Sequence, residues 1–524
     1  MAPARQLGRA AAMGTGSELL GLIRSYWSLL LGNIVEWYEF AVYGYLAVYL
    51  EQHFFRGSKI GVWLGFGVTF LARPLGGVLI GVVGDRFGRS KAVNISIVGM
   101  LVGTVGQGLL PTYSSGNETL GHIGFVLLIV LRFVQGLSAA GEIGTISTYL
   151  TEVAAHHMLC RGIALIAITC NLGFVSAQFV VYAITRALGD EAVEAWAWRL
   201  PFLLALIPGL VAIWGRRGIP ESHMFLEQQK EEQAGASAET QEVGLEVRQV
   251  SSTRRVKAIV SAHWLNMLIG GGALASTAIL QYGGFVWGQS FLAHAGLTAD
   301  DTMLVGLCSR VVMLVLAMPV GWLADVVGVA SVMLIGSLGF MLAGLPLWSM
   351  VQRNPQDLNQ MMLSLGVGFG VLGSLVGTVP FYFVVELFPT AVRNTAVCIC
   401  WNVSLSIFGG LAPIVAQVSV SWSPLGPGIM YAVGGFISVL SILLGLFLQS
   451  RNVVQLTHVR KEPYFVQSCG AARGAKLSCD KSESVAQKVD SSITRDESDA
   501  AVQKVDSSAS TEASSGWGTS PVQV

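Results

Sequence analysis

Twelve apolar runs divide this chain, and each is close to the length that a membrane-spanning helix requires. Crossing the hydrocarbon core takes about 20 residues, and helices are the predicted form because lipid offers no partner to open backbone groups. Charged residues make up only 12% of the chain, whereas a soluble domain has about 25%. The sequence therefore predicts an all-α membrane protein. The runs are 27–50, 60–83, 92–111, 121–143, 162–186, 199–215, 258–292, 302–323, 330–350, 360–384, 395–419 and 428–449.

Polar sequence before, between and after the runs sets the predicted domain organisation. A polar insert divides the runs six and six. The end of the chain is rich in Ser, Ala, Asp and Lys with few aromatic residues, which predicts disorder. In chain order we expect an N-terminal cytoplasmic segment at 1–26, a six-helix bundle at 27–215, a cytoplasmic central loop at 216–257, a second six-helix bundle at 258–449 and a disordered cytoplasmic tail at 450–524. The run at 258–292 is longer than one span needs and is broken by glycines at 270–272 and 283–284.

A charged, glycine-rich hairpin follows the second run and marks the water boundary. It reads Gly81-Val82-Val83-Gly84-Asp85-Arg86-Phe87-Gly88-Arg89. Glycine permits the sharp turn and the close helix approach, whereas Asp85, Arg86 and Arg89 cannot lie in hydrocarbon. A weaker copy, Gly321-Trp322-Leu323-Ala324-Asp325-Val326-Val327-Gly328, begins 240 residues later, with Val326 and Val329 in place of the two arginines. A motif repeated at half the chain length predicts a duplicated protein made of two pseudo-symmetric bundles.

Lysine and arginine are concentrated in the loops on one side of the predicted membrane. The N-terminus, the hairpin after the second run and the central insert carry most of them. Because such residues favour the cytoplasmic side, both termini and the central loop are predicted to be cytoplasmic. Asn117-Glu118-Thr119 is a glycosylation sequon and falls on the outer side in this topology.

Several segments resemble the major facilitator superfamily and, within it, the metabolite:proton symporter family. The first run contains Gly32-Asn33-Ile34-Val35-Glu36-Trp37-Tyr38-Glu39-Phe40, which is similar to the family's G-N-x-x-E-W-Y-D-F with Glu39 in place of Asp. The resemblance covers about residues 25–450. The other matching segments are Arg73-Pro74-Leu75-Gly76, Arg132-Phe133-Val134-Gln135-Gly136, Gly141-Glu142, Arg161-Gly162, Trp198-Arg199-Leu200-Pro201-Phe202, Pro220-Glu221-Ser222 and Glu386-Leu387-Phe388-Pro389-Thr390-Ala391-Val392-Arg393.

This resemblance implies the major facilitator fold, with twelve transmembrane helices in two six-helix bundles and the substrate bound between them. It also implies proton-coupled symport of a small polar metabolite by alternating access. The family's substrates point to a carboxylate or a zwitterion such as proline or betaine. We expect a functional monomer in the plasma membrane.

Glu36 and Glu39 lie one helical turn apart in the first run, with Asn33 and Tyr43 on or near the same face. Ionisable groups inside a membrane helix are costly and are therefore functional candidates. A carboxyl in a dry site can take up and release a proton as the site opens to either side. We expect Glu36, ahead of Glu39, to carry the coupled proton. The alternative is a permanent pair with an arginine that locks two helices.

Arg73, Arg132 and Arg310 lie near the middle of the second, fourth and eighth runs. A guanidinium fork matches a carboxylate, so each is a candidate for substrate binding. Glu36 with Arg132 is the expected resting pair that a substrate carboxylate displaces, and a permanent bridge between helices is the alternative, above all for Arg73. Polar and aromatic candidates for the cavity wall are Asn33, Tyr43, Gln135, Gln281, Tyr282, Tyr382, Trp401 and Asn402.

Charged residues in corresponding loops are predicted to form a cytoplasmic gate. The resemblance implies that such charges bridge the two bundles and stabilise the outward-open state. The alternative is that they only anchor the topology. The gating candidates are Asp85, Arg86, Arg89, Glu152 and Arg161 in the first half, and Asp325, Glu386 and Arg393 in the second half, with Glu386 and Arg393 expected to pair.

Other classes of function find little support. No nucleophile–base constellation or metal-ligand spacing is present in the sequence, so we expect neither an enzyme nor a cofactor or metal site. A formal net charge of zero argues against nucleic acid as a partner. Small metabolites, protons and the lipid bilayer are the expected partners. Two alternatives stay open: an uncoupled facilitator, consistent with the arginines missing from the second hairpin motif, and a nutrient sensor that signals through the tail.

Overall fold

The computed structural model describes residues 2–87, 89–154, 158–216, 252–389 and 392–451. Most of the predicted central loop and nearly all of the predicted tail lie outside these ranges. The side chains of Asp85, Arg86, Arg89 and Glu152 also lie outside the described part, so their assignment to a gate stays a prediction.

The described residues are helical almost throughout and contain no strand. Twelve helical segments, here numbered α1 to α12, follow one another in the order that the apolar runs predict. The first half comprises α1 (Ala2–Tyr45, continued by Ala47–Phe55), α2 (Lys59–Phe87), α3 (Arg89–Gly108), α4 (Glu118–Ala139 and Glu142–Val153), α5 (Leu159–Leu188) and α6 (Leu200–Leu204 and Leu206–Arg216). The second half comprises α7 (Ser252–Ala273, Ala275–Ile279, Leu280–Val286 and Trp287–His294), α8 (Ala299–Val327), α9 (Val329–Arg353), α10 (Leu358–Met361, Met362–Gly368, Phe369–Thr378 and Pro380–Glu386), α11 (Arg393–Ser404, Leu405–Gly410 and Ala412–Trp422) and α12 (Gly426–Ser450).

Eleven helices in the described part of the chain are long and apolar enough to cross a membrane, and they correspond to α2 through α12. The remaining segment, α1, carries Asn33, Glu36 and Glu39, all of which are buried inside the protein. Such a helix is screened from lipid by its neighbours, so its sequence can be more polar than that of a lipid-facing helix. The predicted all-α membrane fold is confirmed, and its division into two bundles stays a prediction.

The first helix is longer than the apolar run predicts. It begins at Ala2 and bends at Tyr26, where φ is −121° and ψ is 21°. The stretch predicted as an N-terminal segment is thus helical in its described part, and the bend coincides with the start of the apolar run.

Three helices of the second half contain a π-helical turn. These turns are Leu280–Val286 in α7, Met362–Gly368 in α10 and Leu405–Gly410 in α11. Such turns are often associated with functional sites, because they displace side chains from the regular helical positions. The turn in α7 contains Gly283 and Gly284, which explains the irregularity expected for the run at 258–292.

The two ends of α7 belong to different compact units. Residues 252–264 fall in one unit, and the described residues 2–216 and 265–451 fall in the other. Within the smaller stretch the Ser261 hydroxyl donates to the Ala258 carbonyl at 3.0 Å. The candidate site lies entirely within the larger unit.

Glycine brings α2 and α4 into backbone contact. A Cβ on Gly136 of α4 would lie 2.0 Å from the carbonyl oxygen of Thr69 in α2, and one on Gly76 of α2 would lie 2.1 Å from that of Leu137. Only glycine fits at such a crossing. This contact fixes the positions of Arg73 on α2 and Arg132 on α4 relative to each other.

Candidate functional site

Glu36 of α1 is buried and forms an ion pair with Arg73 of α2. Its Oε1 lies 3.4 Å from Arg73 Nη2, and the guanidinium carbon lies 4.3 Å from the centroid of the Phe40 ring. The other carboxylate oxygen, Oε2, has no hydrogen-bond partner among the described residues. The expected resting pair of Glu36 with Arg132 is therefore wrong, because α2 rather than α4 supplies the arginine.

Glu39, one turn further along α1, is joined to Arg132 by a relay of neutral side chains. Thr104 of α3 donates to Glu39 Oε2 at 2.8 Å, and Gln135 Nε2 donates to the Thr104 hydroxyl at 2.8 Å. Arg132 Nη1 in turn donates to Gln135 Oε1 at 2.9 Å. Glu39 Oε1 has no hydrogen-bond partner, and within the described ranges no ion pair involves Glu39. Thr104 was not among the predicted residues, because a threonine in an apolar run carries no distinctive signal.

Arg132 of α4 is a buried cation whose hydrogen-bond partners are neutral. Its Nη2 donates to the Phe66 carbonyl at 3.3 Å, and its guanidinium carbon lies 4.1 Å from the centroid of the Tyr43 ring. Tyr43 is itself held in place, because its hydroxyl donates to the Val62 carbonyl at 3.0 Å. Arg132 thus has π-faces and amide oxygens as partners and forms no ion pair in the described part of the molecule.

Arg310 of α8 lies where the two halves of the chain meet. Its Nη1 donates to Asn171 Oδ1 of α5 at 3.2 Å and to Gln281 Oε1 of α7 at 3.1 Å. Its guanidinium carbon lies 3.9 Å from the centroid of the Phe174 ring and 4.6 Å from that of Phe285. Although the side chain is buried, Nε and Nη2 have no hydrogen-bond partner among the described residues.

An aromatic cluster adjoins these arginines. Tyr282, in the π-helical turn of α7, projects against three rings of the first half. Its ring centroid lies 6.5 Å from that of Trp37 in a stacked arrangement, 6.0 Å from that of Phe66 and 4.8 Å from that of Phe70. The Tyr282 hydroxyl is buried without a hydrogen-bond partner in the described part of the chain.

Two further predicted site residues, Asn33 and Tyr382, form no hydrogen bond to the three arginines within the described part of the chain. Asn33 faces α5, where its Nδ2 donates to the Thr169 hydroxyl at 2.6 Å and to the Ile166 carbonyl at 3.2 Å. This side chain therefore joins two helices. Tyr382 is buried in α10, one turn before Glu386.

At one end of the site, a salt bridge joins the halves. Arg161 Nε at the start of α5 donates to Asp325 Oδ2 near the end of α8 at 2.8 Å, and the Cys160 backbone N–H donates to Asp325 Oδ1 at 2.9 Å. The structure thus brings together two of the predicted gating residues. It does not pair Glu386 with Arg393, because Arg393 Nε donates instead to the Phe388 carbonyl at 3.2 Å.

At the opposite end of the site, a second set of polar contacts joins the halves. His294 Nε2 of α7 lies 3.4 Å from Glu51 Oε2 of α1. Arg186 Nη1 of α5 lies 3.6 Å from Asp300 Oδ2 of α8. The halves therefore meet on both sides of Arg310. These residues could not be selected from the sequence, because charged groups at the ends of spans resemble ordinary loop residues.

A second fully buried ion pair among the described residues lies within the first half. Arg216 at the end of α6 pairs with Glu142 of α4 and also donates through Nη1 to the Val93 carbonyl at 3.1 Å. Arg216 was assigned to the central loop, but it is a buried residue of the last turn of α6. The pair lies against Gly32, where a Cβ would clash with the guanidinium.

Comparison with known proteins gives one family and a consistent set of relatives. Residues 27–453 match the family model described as "Sugar (and other) transporter". The glycine betaine/proline/ectoine/pipecolic acid transporter OusA of Dickeya dadantii is 31% identical over 80% of this chain and 81% of its own length. The ectoine/proline transporter ProP of Corynebacterium glutamicum is 31% identical over 74% of this chain and 76% of its own.

Solved structures agree on the fold. The proton:xylose symporter XylE bound to 6-bromo-6-deoxy-D-glucose superposes with a TM-score of 0.65 at 17% identity, covering 84% of this chain and 96% of XylE. A partially occluded, inward-open structure of XylE from E. coli gives a TM-score of 0.60 at 18% identity, covering 82% and 97%.

Proposed function

The chain belongs to the sugar (and other) transporter family of the major facilitator superfamily, and we propose that it is a proton-coupled symporter of small zwitterionic carboxylates. It is a multi-pass membrane transporter rather than an enzyme. Beyond membership of the family, the proposal specifies the coupling ion and the substrate class. It also specifies a plasma-membrane location with cytoplasmic termini and function as a monomer.

The state of Arg310 carries the substrate proposal. A buried guanidinium without an anionic partner is costly, so the protein keeps it for a ligand that supplies the charge. Its Nη1 is occupied by Asn171 and Gln281, which orient the group, while Nε and Nη2 have no anionic partner in the described part of the chain. These two donors form one edge of the guanidinium, and a carboxylate matches such an edge with two parallel hydrogen bonds.

The aromatic cluster suits the other end of a zwitterion. A quaternary or secondary ammonium group is attracted to the faces of Trp, Tyr and Phe rings. Tyr282 is on the same π-helical turn as Gln281, which contacts Arg310, and it faces Trp37, Phe66 and Phe70. The relatives are named for betaine, proline and ectoine, each of which combines a carboxylate with a cationic nitrogen group.

The contacts of the two glutamates favour Glu39 as the proton carrier. Glu36 has Arg73 as a counter-charge, whereas within the described residues Glu39 forms no ion pair and has the neutral side chains of Thr104 and Gln135 as neighbours. A buried carboxylate with so little compensation is stabilised by binding a proton. We therefore place the coupled proton on Glu39 and give Glu36 the role of holding Arg73.

Proton release from Glu39 would affect Arg132 through the hydrogen-bonded relay of Thr104 and Gln135. An ionised Glu39 would draw the Thr104 and Gln135 dipoles towards itself, and Arg132 is the nearest cation along that chain of hydrogen bonds. Rearrangement of Arg132 would alter the contacts of α4 with α2 at Phe66. This coupling links the charge on α1 to the packing of the helices around it.

Contacts at both ends support alternating access. The Arg161–Asp325 salt bridge closes one side of the site, and the Glu51–His294 and Arg186–Asp300 contacts close the other. This arrangement corresponds to an occluded state, in which either set of contacts can break to expose Arg310. An uncoupled facilitator is the second candidate, favoured by Val326 and Val329 in the second hairpin motif.

The substrate class can be tested by competition. Proteoliposomes that contain the purified protein would be loaded with glycine betaine. The entry of labelled betaine would then be measured with proline, ectoine, succinate or xylose added as a competitor. The proposal predicts competition by the zwitterions alone. Competition by xylose without competition by proline would replace it with sugar transport.

A further inference from the structure

Glu51 and His294 join the ends of α1 and α7 on the side of the site opposite to Arg161 and Asp325. His294 Nε2 lies 3.4 Å from Glu51 Oε2, with the His294 side chain 25% exposed and that of Glu51 6% exposed. The contact therefore places a nearly buried carboxylate against an imidazole that water can reach. In the proposed topology this side faces the outside.

The hydrogen bonds of His294 determine where its protons are. Its Nδ1 lies 2.7 Å from the Ser290 carbonyl oxygen, and because a carbonyl can only accept, Nδ1 must carry a hydrogen. A neutral imidazole has one N–H, so Nε2 would then present a lone pair to the Glu51 carboxylate. Two acceptors repel each other. The contact is attractive only when a proton lies between Nε2 and Oε2, which for an ionised Glu51 means an imidazolium.

The acidic groups of the neighbouring loops have other partners. Asp300 is paired with Arg186, and Asp301 accepts from the Thr298 hydroxyl at 2.7 Å. Asp190 accepts from the Tyr49 hydroxyl at 3.4 Å, and Asp357 caps the start of α10. The part of α11 that packs beside His294, Ala412–Trp422, has no ionisable side chain. Within the described residues, His294 is the one cation that forms an ion pair with Glu51.

We infer that Glu51 and His294 form a second proton-binding site, separate from Glu39, whose protonation closes the outer side of the transporter. Histidine is the side chain whose charge ordinarily changes between about pH 5 and 8. A proton bound here stabilises the contact between α1 and α7. Because the two equilibria are linked, closure of the outer side in turn increases the affinity of the site for that proton. An acidic exterior would thus load Glu39 and also favour closure behind the substrate. The inference rests on the proposed alternating access but on neither the substrate class nor Glu39.

Reagent access to a buried position between the halves tests the inference without a transport assay. Val286 of α7 is 1% exposed and faces Gly44 of α1, where a Cβ would lie 2.3 Å from Val286 Cγ1. V286C in the full chain would be reacted with a membrane-impermeant thiol reagent added outside right-side-out vesicles, at pH 6 and pH 8. The same measurement would be made with H294Q and with H294K. Modification would be read at residue 286 by mass spectrometry, which separates it from the native cysteines.

The three proteins are expected to differ in pattern. The reaction of the thiol itself becomes faster as the pH rises. Comparison among the three proteins corrects for this effect because all of them carry the same cysteine at position 286. Relative to H294K, the protein with His294 should react at a similar rate at pH 6 and about two- to fivefold faster at pH 8, the range expected for an ion pair near water. H294Q should react faster than H294K at both pH values by a similar factor.

Two results would overturn the inference. The first is that the ratio of the reaction rate at pH 8 to the rate at pH 6 is the same in the His294 protein, H294Q and H294K. That result would show that the contact does not depend on its proton. The second is a position 286 that stays unreactive in all three proteins, which would show that these side chains do not control outer access. The H294Q result can be repeated with E51A, since removal of the carboxylate also removes the attraction. Failure of betaine transport with a positive result here would leave the second proton site standing.

Discussion

Arg161 donates through Nε to Asp325 Oδ2 at 2.8 Å, so the start of α5 in the first half is tied to the end of α8 in the second half. Asp325 is the acidic residue of the second, weaker hairpin motif. Its other oxygen accepts from the Cys160 backbone N–H. The motif copy that has lost its arginines therefore keeps an acidic residue that bridges the halves.

Replacing Asp325 by Asn should open the cytoplasmic side. The substitution removes a charge-assisted hydrogen bond worth about 1.5–3 kcal/mol, so we expect roughly a tenfold or greater rise in the reactivity of Cys398, which is buried against Gly144 of α4. Mass spectrometry of alkylated protein would measure this rise. Asp301→Asn, at the other end of α8, is the matched control. Unchanged Cys398 reactivity would show that the salt bridge does not hold this side closed.

Arg310→Lys should weaken substrate binding while leaving the fold intact. Lysine keeps the charge but loses the pair of parallel donors that the unpartnered Nε and Nη2 provide. We expect KM for a zwitterionic carboxylate to rise about 10- to 100-fold, which corresponds to about 1.4–2.8 kcal/mol. Uptake kinetics would measure it, with exposed Arg353→Lys as the control. An unchanged KM would exclude Arg310 from the binding site.

Thr104→Val should shift the pH dependence of transport. The Thr104 hydroxyl donates to Glu39 Oε2 at 2.8 Å, and an ionised carboxylate accepts such a bond more strongly than a protonated one. Without the donor, Glu39 should hold its proton more tightly, and the pH of half-maximal uptake should rise by about one unit. Thr104→Ser keeps the hydroxyl and should behave as the parent protein. A profile that shifts equally in both variants would count against the relay.

Gly136→Ala should destabilise the first half. The new Cβ would lie 2.0 Å from the Thr69 carbonyl oxygen, so α2 and α4 would have to separate. Overpacking of this kind costs about 1–3 kcal/mol, and thermal unfolding in detergent should show a lower Tm. Gly21→Ala is the control, because nothing lies within 4 Å of its added Cβ and alanine favours a helix. Similar Tm values for the two variants would contradict the close crossing.

The spans could be predicted from the sequence, because the hydrophobicity of each apolar run determines its transfer into lipid independently of the rest of the chain. Which arginine pairs with Glu36 could not be predicted from the sequence. Arg73 and Arg132 are both placed next to α1, and the choice between them depends on how α2 and α4 cross at Gly76 and Gly136. The Glu51–His294 contact was missed for a related reason, since it joins the ends of two spans that are far apart in sequence.

The most direct test of proton-coupled symport is uptake of labelled glycine betaine and proline into proteoliposomes, with and without an imposed inward proton gradient. Wild type should show uptake stimulated by the gradient. Glu39→Gln should lose the stimulation but keep counterflow exchange, whereas Glu36→Gln should impair both because it leaves Arg73 buried without its counter-charge. Uptake that is indifferent to the gradient in wild type and in Glu39→Gln would contradict the account and make the protein a facilitator.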